Sequence, residues 1–251
     1  MQQSLITKPA VIQTQLPIKE NKLRTITTRL AFNIADIDSL FPGFRAGDFA
    51  VLYGPQSVTS LTSQLCIRAQ LSTQLGGLES DVVFIDCANS STLSTLDHIK
   101  RVHGMRVYTA FRLTSLIMEK LQEVIETYDA KLVVISDIAG PFLHDNLDDQ
   151  EARTVYRQIM SCLANFAKKH HIMIIATYLP HESSTRNNIL QEIASAKAST
   201  VLRFTKTPYT KEVELEKHPS YVLGVADLTS ENQALTDFTD TTRNSKNYFL
   251  M

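Results

Sequence analysis

The sequence predicts an α/β protein: a mostly parallel sheet flanked by helices, with antiparallel edge strands toward the C-terminus. Three observations carry that prediction. Four apolar runs of strand length, at 48–53, 81–86, 131–137 and 172–177, alternate with longer segments whose apolar residues recur at helical spacing. The first run breaks at Gly54-Pro55 and resumes as a helix with Leu61, Leu65 and Ala69 on one face. After His181 the pattern changes to three short strands at 200–205, 212–215 and 221–225. Strands of that kind extend one edge of a sheet in antiparallel fashion.

Strands that are apolar throughout belong to a sheet covered on both faces, with ligand chemistry at its carboxyl ends. Here those ends are the Gly54 turn, Asp86-Cys87-Ala88, Asp137 and Thr177-Tyr178.

The totals narrow the class. A chain of 251 residues with 43% hydrophobic content has room for a sizeable core, which argues against global disorder. A net charge of −1 gives no global field to pull the protein onto nucleic acid or an anionic membrane. Cys66, Cys87 and Cys162 are far apart and form no CxxC pair, which points to a reducing compartment and away from a zinc site. No apolar run is long enough to span a bilayer, and the first residues lack the apolar core of a signal peptide. The expectation is a cytoplasmic protein with no membrane partner.

Along the chain, residues 1–24 read as a flexible N-terminal arm, polar with Pro9 and Pro17. The arm holds at most a short strand, which fits a frayed end or a strand added to a neighbouring subunit equally well. The core domain spans 25–228. Ile34, Ile37, Leu40 and Phe41 recur at helical spacing before Pro42-Gly43, with Phe32 and Ala35 assigned to the core face of that helix. The helix after Gly54 is expected to stop near Leu75, at Gly76-Gly77. Residues 92–102 read as a helix and 105–109 as a short strand. Leu113, Leu116, Ile117, Leu121, Val124 and Ile125 mark an amphipathic helix. A loop at 138–149 leads to a long helix with Val155, Ile159, Cys162, Leu163 and Phe166 inward. Lys168, Lys169, His170 and His171 close it, as cations suit a helix C-terminus. Residues 182–197 are polar with at most a short helix. Residues 229–251 read as a disordered polar tail with an apolar tip, Tyr248-Phe249-Leu250-Met251.

The chemistry-bearing stretch is Gly54-Pro55-Gln56-Ser57-Val58-Thr59-Ser60-Leu61-Thr62. A strand, a tight loop and a helix in that order frame a phosphate-binding loop. The working pattern G-x-x-x-x-G-K-[ST] places Gly, Lys and a hydroxyl at positions 59, 60 and 61. This chain has Thr59, Ser60 and Leu61 there. Ser60 supplies no cation, Leu61 cannot ligate Mg²⁺, and β-branched Thr59 is disfavoured at positive φ. Backbone N–H groups and the helix dipole remain, so ATP with Mg²⁺ is expected to bind at most weakly, and no cofactor is expected. His170, His171 and His218 lack metal-ligand spacing, and Cys87 lacks a local His to activate it.

The order of these elements resembles the RecA/RadA recombinase superfamily, particularly archaeal RadA paralogues and KaiC-like ATPases. Thr27-Thr28 through Ile37-Asp38-Ser39-Leu40-Phe41-Pro42-Gly43 looks like the family's first helix. Gly47-Asp48-Phe49 through Gly54-Pro55 looks like its phosphate-loop strand, Phe84-Ile85-Asp86 like the second strand, and Leu132 to Asp137 like the Walker B strand. Arg203 to Lys206 and the strands beyond resemble its C-terminal edge. The resemblance implies a RecA-like fold of the P-loop NTPase type with a degenerate Walker A motif.

The family's chemistry does not carry over. Its catalytic Glu, two residues after the second-strand aspartate, is Ala88 here. Its Gln sensor at the end of the fourth strand is Leu179. Asp137 survives as the Walker B acid, with no loop Lys or hydroxyl beside it. No catalytic residue is therefore expected. Recombinases hold DNA on the loops after the third and fourth strands. The first loop here carries Asp145, Asp148, Asp149 and Glu151 without Lys or Arg, a charge that opposes phosphate. The second sets Arg186 and Lys197 against Glu182 and Glu192. With Arg203, Lys206, Lys211 and Lys217 on the edge strands, these make the candidate DNA or subunit contacts. A guard against strand aggregation explains the edge cations equally well.

The resemblance thus implies a non-catalytic or very weakly nucleotide-binding accessory protein in DNA recombination and repair. Its partner would be a RecA-family recombinase or a paralogue subunit, with DNA contact weak. The alternative on the same frame is an ATP-binding KaiC-like signalling or DNA-dependent ATPase with a rearranged site.

Overall fold

The apolar runs become the interior of one twisted sheet. The computed structural model describes residues 28–88, 96, 99–144 and 146–228. The arm, the tail, Asp145 and most of the helix expected over 92–102 lie outside the described residues.

In chain order the strands are β1 (Arg29–Leu30), β2 (Phe44–Arg45), β3 (Phe49–Tyr53), β4 (Asp81–Asp86), β5 (Val102–Arg106), β6 (Ala130–Ser136), β7 (Met173–Tyr178), β8 (Thr200–Lys206), β9 (Lys211–Lys217) and β10 (Gly224–Asp227). β1 and β2 pair antiparallel as a two-stranded sheet. The other eight run in the order β10-β9-β8-β3-β7-β6-β4-β5. From β8 to β5 all pairs are parallel, and β9 and β10 are antiparallel. The protein is thus α/β, with a large, mostly parallel sheet and antiparallel strands at one edge.

Period-two alternation sends neighbouring residues to opposite faces, and both faces are covered. Phe49, Val51, Tyr53, Val133, Ile135, Ile174 and Ala176 pack on one side. They meet α3 (Ala110–Ser115), α4 (Leu121–Tyr128), α6 (Asp149–His170) and α7 (Thr185–Lys197). Ala50, Leu52, Phe84, Val134 and Ile175 pack on the other, against α2 (Ser57–Ala69) and the aromatic cluster of Phe32, Phe41 and Phe44 around α1 (Ala35–Leu40). Burying each such side chain contributes roughly 1.5–3 kcal/mol, which makes this two-sided core the main source of stability.

Several boundaries differ from the sequence reading, each for a local reason. Phe32 is buried but precedes α1, and Ala35 is exposed, so the two do not share a helical core face. α2 ends at Ala69, and a separate 3₁₀ turn, Thr73–Leu75, precedes left-handed Gly76. Leu113, Ile117, Leu121 and Ile125 are buried at a strict spacing of four, longer than the helical 3.6. A π-turn at Leu116–Lys120 between α3 and α4 absorbs the difference. The loop at 138–149 contains a short helix, α5 (Gly140–His144). On α6 the buried stripe is Ala152, Tyr156, Ile159, Met160, Leu163 and Ala167, with Val155, Cys162 and Phe166 at its margin. The largest difference is α7, a full 13-residue helix. It makes a crossover between β7 and β8, so β8 joins β3 in parallel instead of starting the antiparallel edge.

Candidate functional site at the carboxyl ends of the strands

Gly54 turns the chain out of β3 at φ +155, and its N–H donates to the Tyr178 carbonyl at 3.3 Å. A Cβ here would sit 2.6 Å from Val58 and 2.9 Å from Phe204, so only glycine fits. The helix begins at Ser57, two residues before the position of the pattern's second glycine. Val58 N–H donates to the Pro55 carbonyl at 2.9 Å and Thr59 N–H to the Gln56 carbonyl at 3.0 Å. Donors that a phosphate cradle would turn outward are thus closed on the turn itself. Val58, Thr59, Leu61 and Thr62 are buried, and the Thr62 hydroxyl donates to the Thr59 carbonyl at 2.8 Å. Ser57 and Ser60 are half-buried, and Gln56 is exposed.

Asp137 lies just past β6, in left-handed backbone at φ +47. Its N–H donates to the Thr177 hydroxyl at 2.8 Å. Its Oδ1 accepts His181 Nε2 at 2.8 Å and, at 3.4 Å, the Leu179 N–H. Gly140 makes room for the carboxylate, since a Cβ there would lie 2.4 Å from Oδ2. The Asp137 and His181 side chains are 6% and 13% exposed, so the carboxylate is buried and the imidazole half-buried at the rim. The sequence reading uses His181 only to mark where the strand pattern changes and gives it no role in the site. A lone histidine after Pro180 carries no pattern, and its partner is 44 residues away.

The loop holding His181 is itself pinned. The Tyr178 hydroxyl donates to Asn187 Oδ1 at 2.7 Å, and Asn187 Nδ2 donates to the Glu182 carbonyl at 3.1 Å. The Tyr178 ring stacks on Tyr53 at 5.1 Å, and Arg203 lies over the other ring at 4.6 Å. The Tyr53 hydroxyl donates to the Gln191 carbonyl at 2.9 Å. Burial pushes the Tyr53 phenol up to about 12 and the Tyr178 phenol higher still, so both stay neutral hydrogen-bonding groups. Burial, reinforced by the charges of Asp137 and Asp86, also raises the Cys87 thiol well above its usual range, leaving no thiolate nucleophile. Asp86 is fully buried and accepts the Ser136 hydroxyl at 2.7 Å and the Ala88 N–H at 3.2 Å.

Of the six basic candidates, Arg203, Lys206 and Lys211 border grooves beside the Gly54 turn, and Arg186, Lys197 and Lys217 lie elsewhere. Arg186 donates to Asp149 and the Leu147 carbonyl, each at 2.6 Å, which ties the start of α7 to the start of α6. Arg203 pairs with Glu216 on the adjoining strand. Lys217 Nζ donates to the Ser195 and Ala196 carbonyls, each at 2.9 Å, and so caps the end of α7. Lys197 is exposed at that same helix end. Lys206 and Lys211 face each other in register across β8 and β9 and line a small groove with Pro55, Ser57 and Leu61. Lys206 and Arg203 also border a groove of about 380 Å³ with Tyr53, Gly54 and His181.

A magnesium-bound triphosphate needs outward N–H donors, a loop cation, a hydroxyl ligand and a free strand-end carboxylate. The residues present do not fit it. The donors of Val58 and Thr59 are used, Leu61 is in the core, and Asp137 is engaged by His181. Among the described residues no three His, Cys, Asp or Glu side chains are placed to hold a metal ion. Among them, too, no helix is long and apolar enough to cross a membrane. No protein-family model matches the chain.

Proposed function

We infer that this protein is a RecA-like paralogue without catalytic activity, an accessory in DNA recombination and repair that acts through contact with a recombinase or another paralogue. The observation that carries the reading is Asp137. The residue in the Walker B position is spent on bracing the protein's own loop through His181 and the Leu179 N–H. The substitutions at Thr59, Ser60, Leu61, Ala88 and Leu179 concern different parts of one catalytic apparatus. The closed Gly54 turn agrees with them. A site lost this broadly leaves the frame as a platform for partners, since fold outlasts chemistry.

Affinity capture of the tagged chain from its own cells, followed by mass spectrometry and strand-exchange assays with the captured recombinase, tests the reading. A RecA-family partner, with strand exchange or DNA loading altered on adding this protein, is the expected result. Capture of no such partner and no effect on either assay would overturn it.

A further inference from the structure

A second cluster of charge and aromatic rings lies at the amino end of β3, the end away from the Gly54 turn. Arg29 of β1 and Arg45 of β2 stand directly opposite each other in the antiparallel register. Partners so placed project to the same side, where like charges repel. Both guanidiniums lie over the ring of Tyr221, at 5.8 and 5.3 Å from its centroid. His218 stacks on the same ring at 4.0 Å, which leaves the other face to the arginines. Phe41 meets both rings edge-on and fixes the platform from behind.

Among the described residues neither guanidinium forms an ion pair. Arg45 donates to the Tyr221 hydroxyl, and its buried Nε has no hydrogen-bond partner. The nearby acid, Asp48, spends Oδ2 on the Arg45 backbone N–H at 2.7 Å. His218 feels both cations: burial lowers its pKa, Asp48 opposes this, and Arg45 and Arg29 lower it further. Cation–π attraction explains one guanidinium on a tyrosine ring. It does not explain a second one set against the first.

We propose that Arg29 and Arg45 form an anion site on the Tyr221 ring that takes a phosphate group. A carboxylate offers two oxygens, which a single guanidinium fork satisfies. A phosphate offers more oxygens and more charge, which suits two forks side by side. Arg29 is exposed and open to solvent, while Arg45 is half-buried and forms the floor. Binding there cancels the repulsion between the two arginines and gives the free Arg45 Nε–H an acceptor. The site is separate from the Gly54 turn, and the inference does not rest on the accessory role.

Titration of the full chain with inorganic phosphate tests it, read from the His218 ring resonance and from the thermal midpoint, with acetate at matched ionic strength as the control. Phosphate in the millimolar range is expected to shift the resonance and raise the midpoint, and acetate to do neither. Arg29→Gln changes an exposed side chain, so the fold should survive, with circular dichroism as the check. It is expected to weaken phosphate binding about tenfold or more. Arg45→Lys keeps the charge without the fork and should also weaken it. Lys120→Gln, which removes an exposed charge elsewhere, should bind as the wild type does. A short single-stranded oligonucleotide identifies the source of the phosphate. Tighter binding that Arg29→Gln weakens points to a nucleic-acid phosphate, and affinity no higher than for inorganic phosphate points to a small phosphorylated ligand; either upholds the site. No response to phosphate, an equal response to acetate, or undiminished binding by Arg29→Gln would each overturn the proposal.

Discussion

His181 Nε2 lies 2.8 Å from Asp137 Oδ1, with the carboxylate buried and the imidazole half-buried. That contact joins the end of the third buried strand to the loop after the fourth. It also decides what the strand-end carboxylate does. A carboxylate shared between an imidazole and a backbone N–H is a brace. His181→Ala would leave Asp137 short of a partner in the interior. Such a change is expected to lower unfolding free energy by about 1–3 kcal/mol. Urea denaturation of His181→Ala, Asp137→Asn and the double variant measures the coupling. Strict additivity of the two single effects would contradict the brace.

The Gly54 turn should be intolerant of any side chain. Gly54→Ala forces a Cβ to 2.6 Å from Val58 in backbone that L-residues rarely adopt. A loss of about 2–3 kcal/mol is expected in the same assay. Gly47, also at positive φ, has its nearest Cβ contact at 3.9 Å, so Gly47→Ala should cost less.

Installing a phosphate-loop pattern after Gly54 should destabilise the protein. Leu61 is 2% exposed and Thr59 1%, both facing the core. Leu61→Thr alone is expected to lower stability by about 2–3 kcal/mol, through lost apolar burial and a hydroxyl without a ready partner. The triple change Thr59→Gly, Ser60→Lys, Leu61→Thr should cost more, read as a drop in thermal midpoint. An unchanged midpoint would mean the loop opens more readily than its packing implies.

Stability should weaken on the acid side through His218. Its Nδ1 accepts the Ser220 and Tyr221 N–H groups at 3.0 and 2.9 Å, and its ring stacks on Tyr221. Burial holds its pKa below the ordinary value near 6.5; Asp48 opposes this, while Arg45 and Arg29 add to it. The unfolded chain therefore binds the proton more readily. The contribution is present above pH 6.5 and is lost as pH falls from there toward the depressed folded value. His218→Asn keeps an acceptor for both N–H groups without the titration. The urea midpoint should fall more between about pH 7.5 and 5.5 in the wild type than in the variant. Equal falls would remove His218 from the account.

The parallel core was legible because fully apolar runs such as 131–137 have no other place to go. The antiparallel edge was readable from β9, where Lys211, Glu212, Glu214, Glu216 and Lys217 frame Val213 and Leu215. α7 was not legible as a full helix. Its inner face includes Asn187, a polar residue whose reason for burial, the Tyr178 hydroxyl, lies nine positions earlier. The missing phosphate-loop groups could be read directly from Thr59-Ser60-Leu61. That the turn closes on its own carbonyls could not, because it depends on where the helix starts. His181 carried no signal, since its meaning is wholly tertiary. What the basic residues touch was hidden for a related reason: charge is visible in sequence, but Glu216 beside Arg203 and the helix end beneath Lys217 are not.

The most direct test of the central claim is isothermal titration of the full chain with Mg-ATP. A closed Gly54 turn and an engaged Asp137 lead to no measurable heat of binding up to millimolar nucleotide, corresponding to less than about 4 kcal/mol of affinity. Micromolar binding would contradict the account and favour a nucleotide site at the Gly54 turn.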